Sequence, residues 1–262
     1  MLRRNEFKAA LGAAERPLVG LINSVPAPLL VEMLGYAGYD FVVIDQEHAA
    51  PNPETLENLI RAAECSGVTP LVRMPGAASD AILHALDAGA QGVVIPHVRN
   101  ADEARAAVRA SRYHPLGERG ISGGRTTGFG SLTLPDYFSL ANAEILVAVM
   151  IEDREGVEAI DEIVAVPGVD LVIEGAIDLS QSYGAPAQAQ HPDVLTAVAH
   201  VAACCRAAGV AFCAVPRVDG QLDAWLERGV HTFLIGDDRG VAFGALKAHA
   251  AGLRQRAGRR RA

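Results

Sequence analysis

Eight short apolar runs, separated by helical patterns along the whole chain, constrain this sequence more than any other feature. They occupy residues 18–22, 41–44, 71–72, 93–95, 145–151, 171–173, 211–215 and 233–235. Many are continuous rather than alternating. A strand that is apolar on both faces must be covered on both, as in a parallel sheet flanked by helices. Helical segments 28–37, 53–66, 79–88, 101–111, 157–164, 192–208, 221–228 and 240–253 follow the runs. Gly67, Gly89, Gly209 and Gly229 stand at the ends of helical stretches as C-terminal stops. The pattern predicts an α/β chain folded as one (β/α)₈ TIM barrel. A single domain is expected over residues 1–262, with a frayed basic tail at 254–262. The competing doubly wound sheet lacks its dinucleotide fingerprint, because no GxGxxG follows a strand and opens a helix.

Charge follows the runs. Asp45, Glu47 and His48 come after the second, Arg73 after the third, and His97 after the fourth. Glu152 follows the fifth, Glu174 and Asp178 the sixth, Arg217 the seventh, and Asp237 and Asp238 the eighth. In a parallel barrel all strand C-termini open on one face, where the chemistry of such folds takes place. Ionisable groups collected there read as an active site.

Bulk properties narrow the classes. Half of the residues are hydrophobic, 5% are aromatic, and the formal charge is −8, which argues against a nucleic-acid partner. The arginines of the tail are the exception. No run reaches the ~18 apolar residues that span a bilayer, and the start MLRRNEFKAALG lacks the apolar core of a secretory signal. A cytoplasmic protein with no membrane partner is the expectation. Cys65, Cys204, Cys205 and Cys213 form no CxxC pair and read as reduced thiols.

Three constellations carry chemistry. Glu152 and Asp178 follow neighbouring strands, and two carboxylates brought together repel unless a cation sits between them. Oxygen donors suit Mg²⁺ or Mn²⁺. Alternatively, Asp178 caps a helix and Glu152 pairs with an arginine such as Arg154. His48, in DQEH, is suited to moving protons near neutral pH, with Asp45 three residues earlier to orient it or a water. The alternative is a hydrogen-bonded structural histidine. Arg73 can grip a carboxylate or steady an oxyanion, or else form a structural ion pair. Asp87 sits at a helix end before Gly89, where the helix dipole disfavours a carboxylate, and this points to a task at an interface.

Several chemistries are excluded. There is no GxxxxGK[ST], no GxSxG, and no lysine at a strand end for Schiff-base formation. A barrel handling carbonyl carbon without that lysine needs a metal or an oxyanion site. The connection RYHPLGERGISGGRTTGFG, residues 112–130, is long and rich in glycine and arginine. It is either a lid over the mouth or a packed excursion at a subunit contact.

The segments YDFVVIDQEHAAPN, PLVRMPG, LDAGAQGVVIPHVRNADEARAAV, RYHPLGERG, IEDREGVEAIDEIVAVPGVDLVIEGAIDLSQSYG and HPDV resemble, in order, the HpcH/HpaI aldolase family. The resemblance covers roughly residues 20–246. It implies a class II, metal-dependent pyruvate aldolase that cleaves 4-hydroxy-2-oxo acids to pyruvate and an aldehyde through an enolate. By that resemblance Glu152 and Asp178 hold Mg²⁺ or Mn²⁺, Arg73 holds the 2-oxo acid, and His48 with Asp45 moves the proton. Asp87 reaches toward a neighbouring subunit's site. Glu174, Gly175, Ala176, Ile177 and Asp178 form the expected substrate-binding segment. The resemblance further implies a homo-oligomer, six subunits, and a swapped C-terminal helix.

The chain departs from the family pattern at VIEGAIDLS, where the family reads FIGPADLS, and at IGDDRG after the last strand. Glu174 is then either a substrate contact or the partner of Arg217 or Arg239. These segments resemble the family's siderophore citrate synthase-like branch, which condenses oxaloacetate with acetyl-CoA and needs no cofactor metal. A non-catalytic barrel that binds 2-oxo acids is the alternative from a different class.

Overall fold

The computed structural model describes the chain except residues 13–15, 77–78 and 260–262. Eight parallel strands close into a barrel in sequence order: β1 (Leu18–Asn23), β2 (Phe41–Asp45), β3 (Thr69–Arg73), β4 (Gly92–Ile95), β5 (Leu146–Ile151), β6 (Leu171–Glu174), β7 (Ala211–Ala214) and β8 (Thr232–Asp237). Around them run α1 (Glu6–Ala10), α2 (Pro28–Tyr36), α3 (Pro53–Ser66), α4 (Ser79–Asp87), α5 (Ala101–Ser111), α6 (Leu134–Glu144), α7 (Arg154–Glu158), α8 (Ile160–Val164), α9 (Ala176–Ser182), α10 (Pro192–Ala208), α11 (Gln221–Glu227) and α12 (Asp238–Arg259). The predicted single (β/α)₈ barrel is what the chain forms. None of the described helices is long and apolar enough to cross a membrane.

The helix starts follow local chemistry. Asn52 accepts from the amide of Thr55 and Asn100 from that of Glu103, each satisfying a free amide of the first turn. Pro53 and Pro192 fill first-turn positions where no amide hydrogen is needed. Gly67 and Gly209 end α3 and α10 in the left-handed conformation, at φ 79° and 72°.

The strand period of two sorts the core into two layers. Val42, Ile44, Val72, Val93 and Val147 face the helices. Phe41, Val43, Leu71, Val94, Leu146, Ala148, Met150 and Ile173 fill the barrel interior. The N-terminal end is plugged by Phe7 of α1, whose ring stacks on Phe41 at 4.2 Å between centroids. Gly20 makes room for that ring, since a Cβ there would overlap Phe41. The inward alternation that begins with Phe41 and Val43 ends on Asp45. That of Leu71 ends on Arg73, and that of Leu146, Ala148 and Met150 leads to Glu152. These three side chains are therefore the next layer of the interior, at the mouth.

Ile145 is the C-cap of α6 rather than the first residue of β5. α12 runs as far as Arg259, through arginine, glutamine and alanine, which are good helix formers; the last three residues of the tail expected to fray, 260–262, lie outside the described residues. The 112–130 connection is not a lid. It leaves α5 at the end opposite the mouth, as every helix-to-strand connection in a barrel must. Arg112 there binds Asp170 and the carbonyl of Ile145, Arg119 binds Asp87, and Arg125 binds Glu64 and the carbonyl of Ala88.

Candidate active site

Arg73 is the organising group of the mouth. Its Nε and Nη2 donate to the two oxygens of Asp45 at 3.0 and 2.8 Å, and its Nη1 lies 3.1 Å from Oε2 of Glu47. Both Arg73 and Asp45 are buried. Burial works against the charge of Asp45, but the bonds and charge of Arg73 outweigh it and hold the carboxyl below its ordinary range. Burial likewise opposes the charge of Arg73, whose pKa is nonetheless raised by Asp45, Glu47 and Glu152. The result is an ionised pair with part of the five-donor guanidinium fork left for a substrate oxygen.

Glu152 sits at the end of β5, with its side chain 3% exposed. The backbone amide of His97 donates to its Oε1 at 2.8 Å. Burial pushes its carboxyl up to about 7, against the pull of the His97 amide and imidazole; the charges of Glu47 and Asp178 push the same way as burial. Gly175, at the start of α9, backs this carboxylate. A Cβ there would strike Glu152 Oε2.

His97 closes the group. Its backbone is left-handed, at φ 53°, which turns both the amide and the ring toward the acids. Nδ1 lies 2.9 Å from Asp153 Oδ2, and Nε2 lies 3.7 Å from Glu47 Oε1. Asp153 is also held by Arg99, at 3.1 Å. Burial disfavours the imidazolium, but Glu152, Asp153 and Glu47 together raise the pKa of His97. Ligand atoms of Glu47, His97 and Glu152 lie within 4.8 Å of one another.

The expected residues fall into three groups. Arg73, Asp45 and Glu152 meet at the mouth. Asp178 lies in the first turn of α9, exposed and close enough for its charge to act on Glu152. Ala176 is buried and Ile177 exposed in the same turn. His48 stands at the rim with its side chain 61% exposed and Nε2 3.9 Å from Glu47 Oε2. Asp45 does not orient its ring, because the Asp45 side chain binds Arg73 and the backbone amides of Glu47 and His48. Asp87 is not at this mouth. It ends α4 on the barrel's flank and accepts from Arg119 at 2.7 Å.

Two acids near the strand ends are paired internally in this structure. Glu174 is the partner of Arg217, whose Nη1 lies 2.9 Å from both of its oxygens. The amides of Val215 and Ala176 donate to the same carboxylate. Leu171 and Ile173 face the interior, so Glu174 belongs to the other parity and lies across the β6–β7 ends. Asp238 is buried and accepts from Asn23 Nδ2 at 2.6 Å and from the amides of Ser24 and Val25, which ties β8 to β1. Arg154 lies over the ring of Tyr183 rather than against Glu152.

Glu47, His97 and Asp153 carry more of the site than the sequence reading gave them. Glu47 and His97 followed strands and were visible as such. Asp153 adjoins Glu152, but its role depends on the left-handed turn at His97.

The donor set fits a cation. Asp45, Glu47, Glu152, Asp153 and Asp178 gather around Arg73, Arg99 and one imidazole, so negative charge is in excess. Oxygen-rich sets of this kind take Mg²⁺ or Mn²⁺.

A 5-keto-4-deoxy-D-glucarate aldolase of Enterobacter sp. (strain 638) is 37% identical over 238 residues, covering 90% of this chain and 92% of the relative. The crystal structure of the citrate synthase SbnG is 43% identical with a TM-score of 0.84, covering 92% of this chain and 95% of that one. An HpcH/HpaI aldolase/citrate lyase family protein from Burkholderia cenocepacia J2315 superimposes with a TM-score of 0.89 at 33% identity, covering 95% and 99%. Residues 20–244 match the family itself, and the chain belongs to the HpcH/HpaI aldolase/citrate lyase family.

Proposed function

We propose that the protein cleaves and forms carbon–carbon bonds through the enolate of a 2-oxo acid, splitting 4-hydroxy-2-oxo acids into pyruvate and an aldehyde. The carrying observation is the Asp45–Arg73–Glu47 anchor beside the buried carboxylate of Glu152, at one barrel mouth. Glu152 and Asp178 would hold the divalent cation, which when bound supplies Lewis-acid polarisation of the keto oxygen. Arg73 binds the acid's oxygens and stabilises the negative charge that develops on the keto oxygen. His48, exposed at the rim, takes the proton from the C4 hydroxyl. The C3–C4 bond then breaks, its electron pair passes into the enolate, and the aldehyde leaves. Protonation at C3 completes pyruvate. Replacing His48 by Ala is expected to lower the rate by ~10²–10⁴-fold. An unchanged rate on an accepted substrate removes it from that role.

A citrate-forming reaction between oxaloacetate and acetyl-CoA is the second reading. Two observations favour it: the likeness to SbnG, and the imidazole of His97, which stands beside Glu152. A chelator separates the two readings. Cleavage of 4-hydroxy-2-oxo acids that stops with chelator supports the aldolase. Metal-independent release of free CoA from oxaloacetate and acetyl-CoA supports the other. A barrel that only binds 2-oxo acids would leave the methyl protons of pyruvate unexchanged in deuterium oxide. An enolising enzyme exchanges them.

The chain is further proposed to act as a homo-oligomer of six. On α12, Val241, Phe243, Leu246 and Leu253 are all exposed, an unusual amount of apolar surface for one helix. A monomeric mass at micromolar concentration contradicts this.

A further inference from the structure

We propose that His97 is itself a ligand of the cation, binding through Nε2 beside Glu47 and Glu152, and that it biases the site toward imidazole-accepting transition metals over Mg²⁺. The inference rests on the metal-dependent reading above and adds a nitrogen donor to it. Two independent features support it. First, ligand atoms of Glu47, His97 and Glu152 already lie within 4.8 Å of one another. Two donors each ~2.1 Å from a shared ion lie about 3–4 Å apart, and Nε2 is 3.7 Å from Glu47 Oε1, too long for a direct hydrogen bond. Second, Nδ1 is already engaged, 2.9 Å from Asp153 Oδ2. Donation of Nδ1–H to a carboxylate fixes the tautomer with a bare lone pair on Nε2, which is how metal-bound imidazoles are held.

The surroundings fix each donor. Glu47 turns Oε2 to Arg73 at 3.1 Å and Oε1 toward His97. Glu152 takes the His97 amide on Oε1, while Gly175 leaves room at its Oε2. Asp153 is steadied by Arg99. The left-handed backbone of His97 is disfavoured for a residue with a side chain, and it is held here by the amide on Glu152 and the ring on Asp153. All-oxygen sets favour Mg²⁺ and Mn²⁺, whereas an added imidazole raises affinity along the series Mn²⁺, Fe²⁺, Co²⁺, Ni²⁺ and Zn²⁺.

The test is calorimetric titration of chelator-stripped protein with MgCl₂, MnCl₂, CoCl₂ and ZnCl₂, together with the visible spectrum of the Co²⁺ form. Wild type is compared with His97→Asn and Asp153→Ala. Asparagine tolerates a positive φ, and a thermal melt verifies that each variant is folded. His97→Asn is expected to lose on the order of 10–100-fold in Co²⁺ and Zn²⁺ affinity, with Mg²⁺ changed by less than about threefold. Asp153→Ala should weaken Co²⁺ and Zn²⁺ in the same direction by less. The Co²⁺ spectrum should change in both variants. Equal losses for all four ions would mean that His97 only shapes Glu152, and would overturn the proposal. So would unchanged Co²⁺ affinity, or the absence of any preference for Co²⁺ over Mg²⁺ in wild type. Pyruvate proton exchange measured with Mg²⁺ reports separately on the enolate reading: exchange with no nitrogen-donor signature sinks only the ligand role of His97, and the signature without exchange sinks only the enolase-type chemistry.

Discussion

At the N-terminal end of the barrel, Arg112 donates to Asp170 and to the carbonyl of Ile145, and Lys8 reaches the same two groups. At the mouth, Arg73 holds Asp45 and Glu47, while Glu152, Asp153 and Asp178 stand close by. Both ends bury charge. At the first end burial dominates, lowering the pKa of Arg112 and Lys8, and the cations close on one carboxylate and one backbone carbonyl. At the mouth carboxylates are in excess, and one of them, Glu152, is pushed to about 7. Closed charge holds a fold together; unbalanced charge is kept for something that arrives. Size does not mark the difference. A cavity of about 780 Å³ lined by Lys8, Asp170, Arg206, Trp225 and His231 opens away from the mouth, and none of the site acids lines it.

Breaking one arginine at each end sharpens the contrast. Arg73→Ala is expected to cost ~10²–10³-fold in kcat and also to destabilise, because Asp45 is left buried and unpaired. Arg73→Lys keeps the charge but cannot reproduce the two-point grip on Asp45, so most of the activity loss should remain. Near-wild-type turnover in Arg73→Lys would show that the fork geometry is unimportant. Arg112→Ala should cost about 3 kcal/mol in denaturant unfolding while kcat/KM of the folded protein stays within about threefold. If that variant loses activity without losing stability, the division between the two ends is wrong.

The difference in legibility between these two regions has a physical basis. Strands are short, local and apolar, and each mouth residue is fixed by its place at a strand end. Asp45, Arg73 and Glu152 could therefore be placed from the runs alone. The end that closes the barrel is built from residues far apart in sequence: Phe7 stacks on Phe41, and Asn5 donates to the carbonyl of Gln91. No periodicity signals such contacts. The glycines and arginines of the 112–130 segment left a lid and a packed excursion equally open, although following α5 already sends the segment to the end opposite the mouth. His97 was legible as a strand-end residue but not as a neighbour of Asp153, because a positive φ at histidine has no sequence signature. For Glu174 the sequence left a substrate contact and a pair with Arg217 or Arg239 open, because only the packing of the β6 and β7 ends selects Arg217.

The excess of acid at the mouth can be read by titration in metal-free protein. Glu152 binds its proton more tightly folded, at about 7, than its ordinary value of 4.5. Between those values the unfolded chain releases a proton that the folded one keeps, so stability falls as pH rises from about 4.5 to about 7. The deficit is complete above that. Glu152→Gln does not titrate. Its unfolding free energy relative to wild type should therefore rise from pH 5 to pH 8, by an amount on the order of 2 kcal/mol. A difference that is flat with pH would mean that Glu152 is already compensated. Saturating divalent cation should abolish the trend.

The smallest effect is expected at Glu174, where the mouth resembles the closed end. Its carboxylate takes two backbone amides and Arg217, and its side chain is 3% exposed against 21% for the arginine. Glu174→Gln keeps the volume and one acceptor oxygen. Arg217 loses its counter-charge but reaches water, so the loss should be about 1–2 kcal/mol. Because Glu174 faces the β6–β7 ends rather than the interior, kcat/KM for 2-oxo acids should move by less than about threefold, and the ranking of acceptors should not change. Arg217→Ala should destabilise more, because it strands the buried acid. A reordering of acceptor preference in Glu174→Gln, with stability near wild type, would return Glu174 to the substrate. The pairing seen here would then be only the resting partner of a group that opens toward the acceptor.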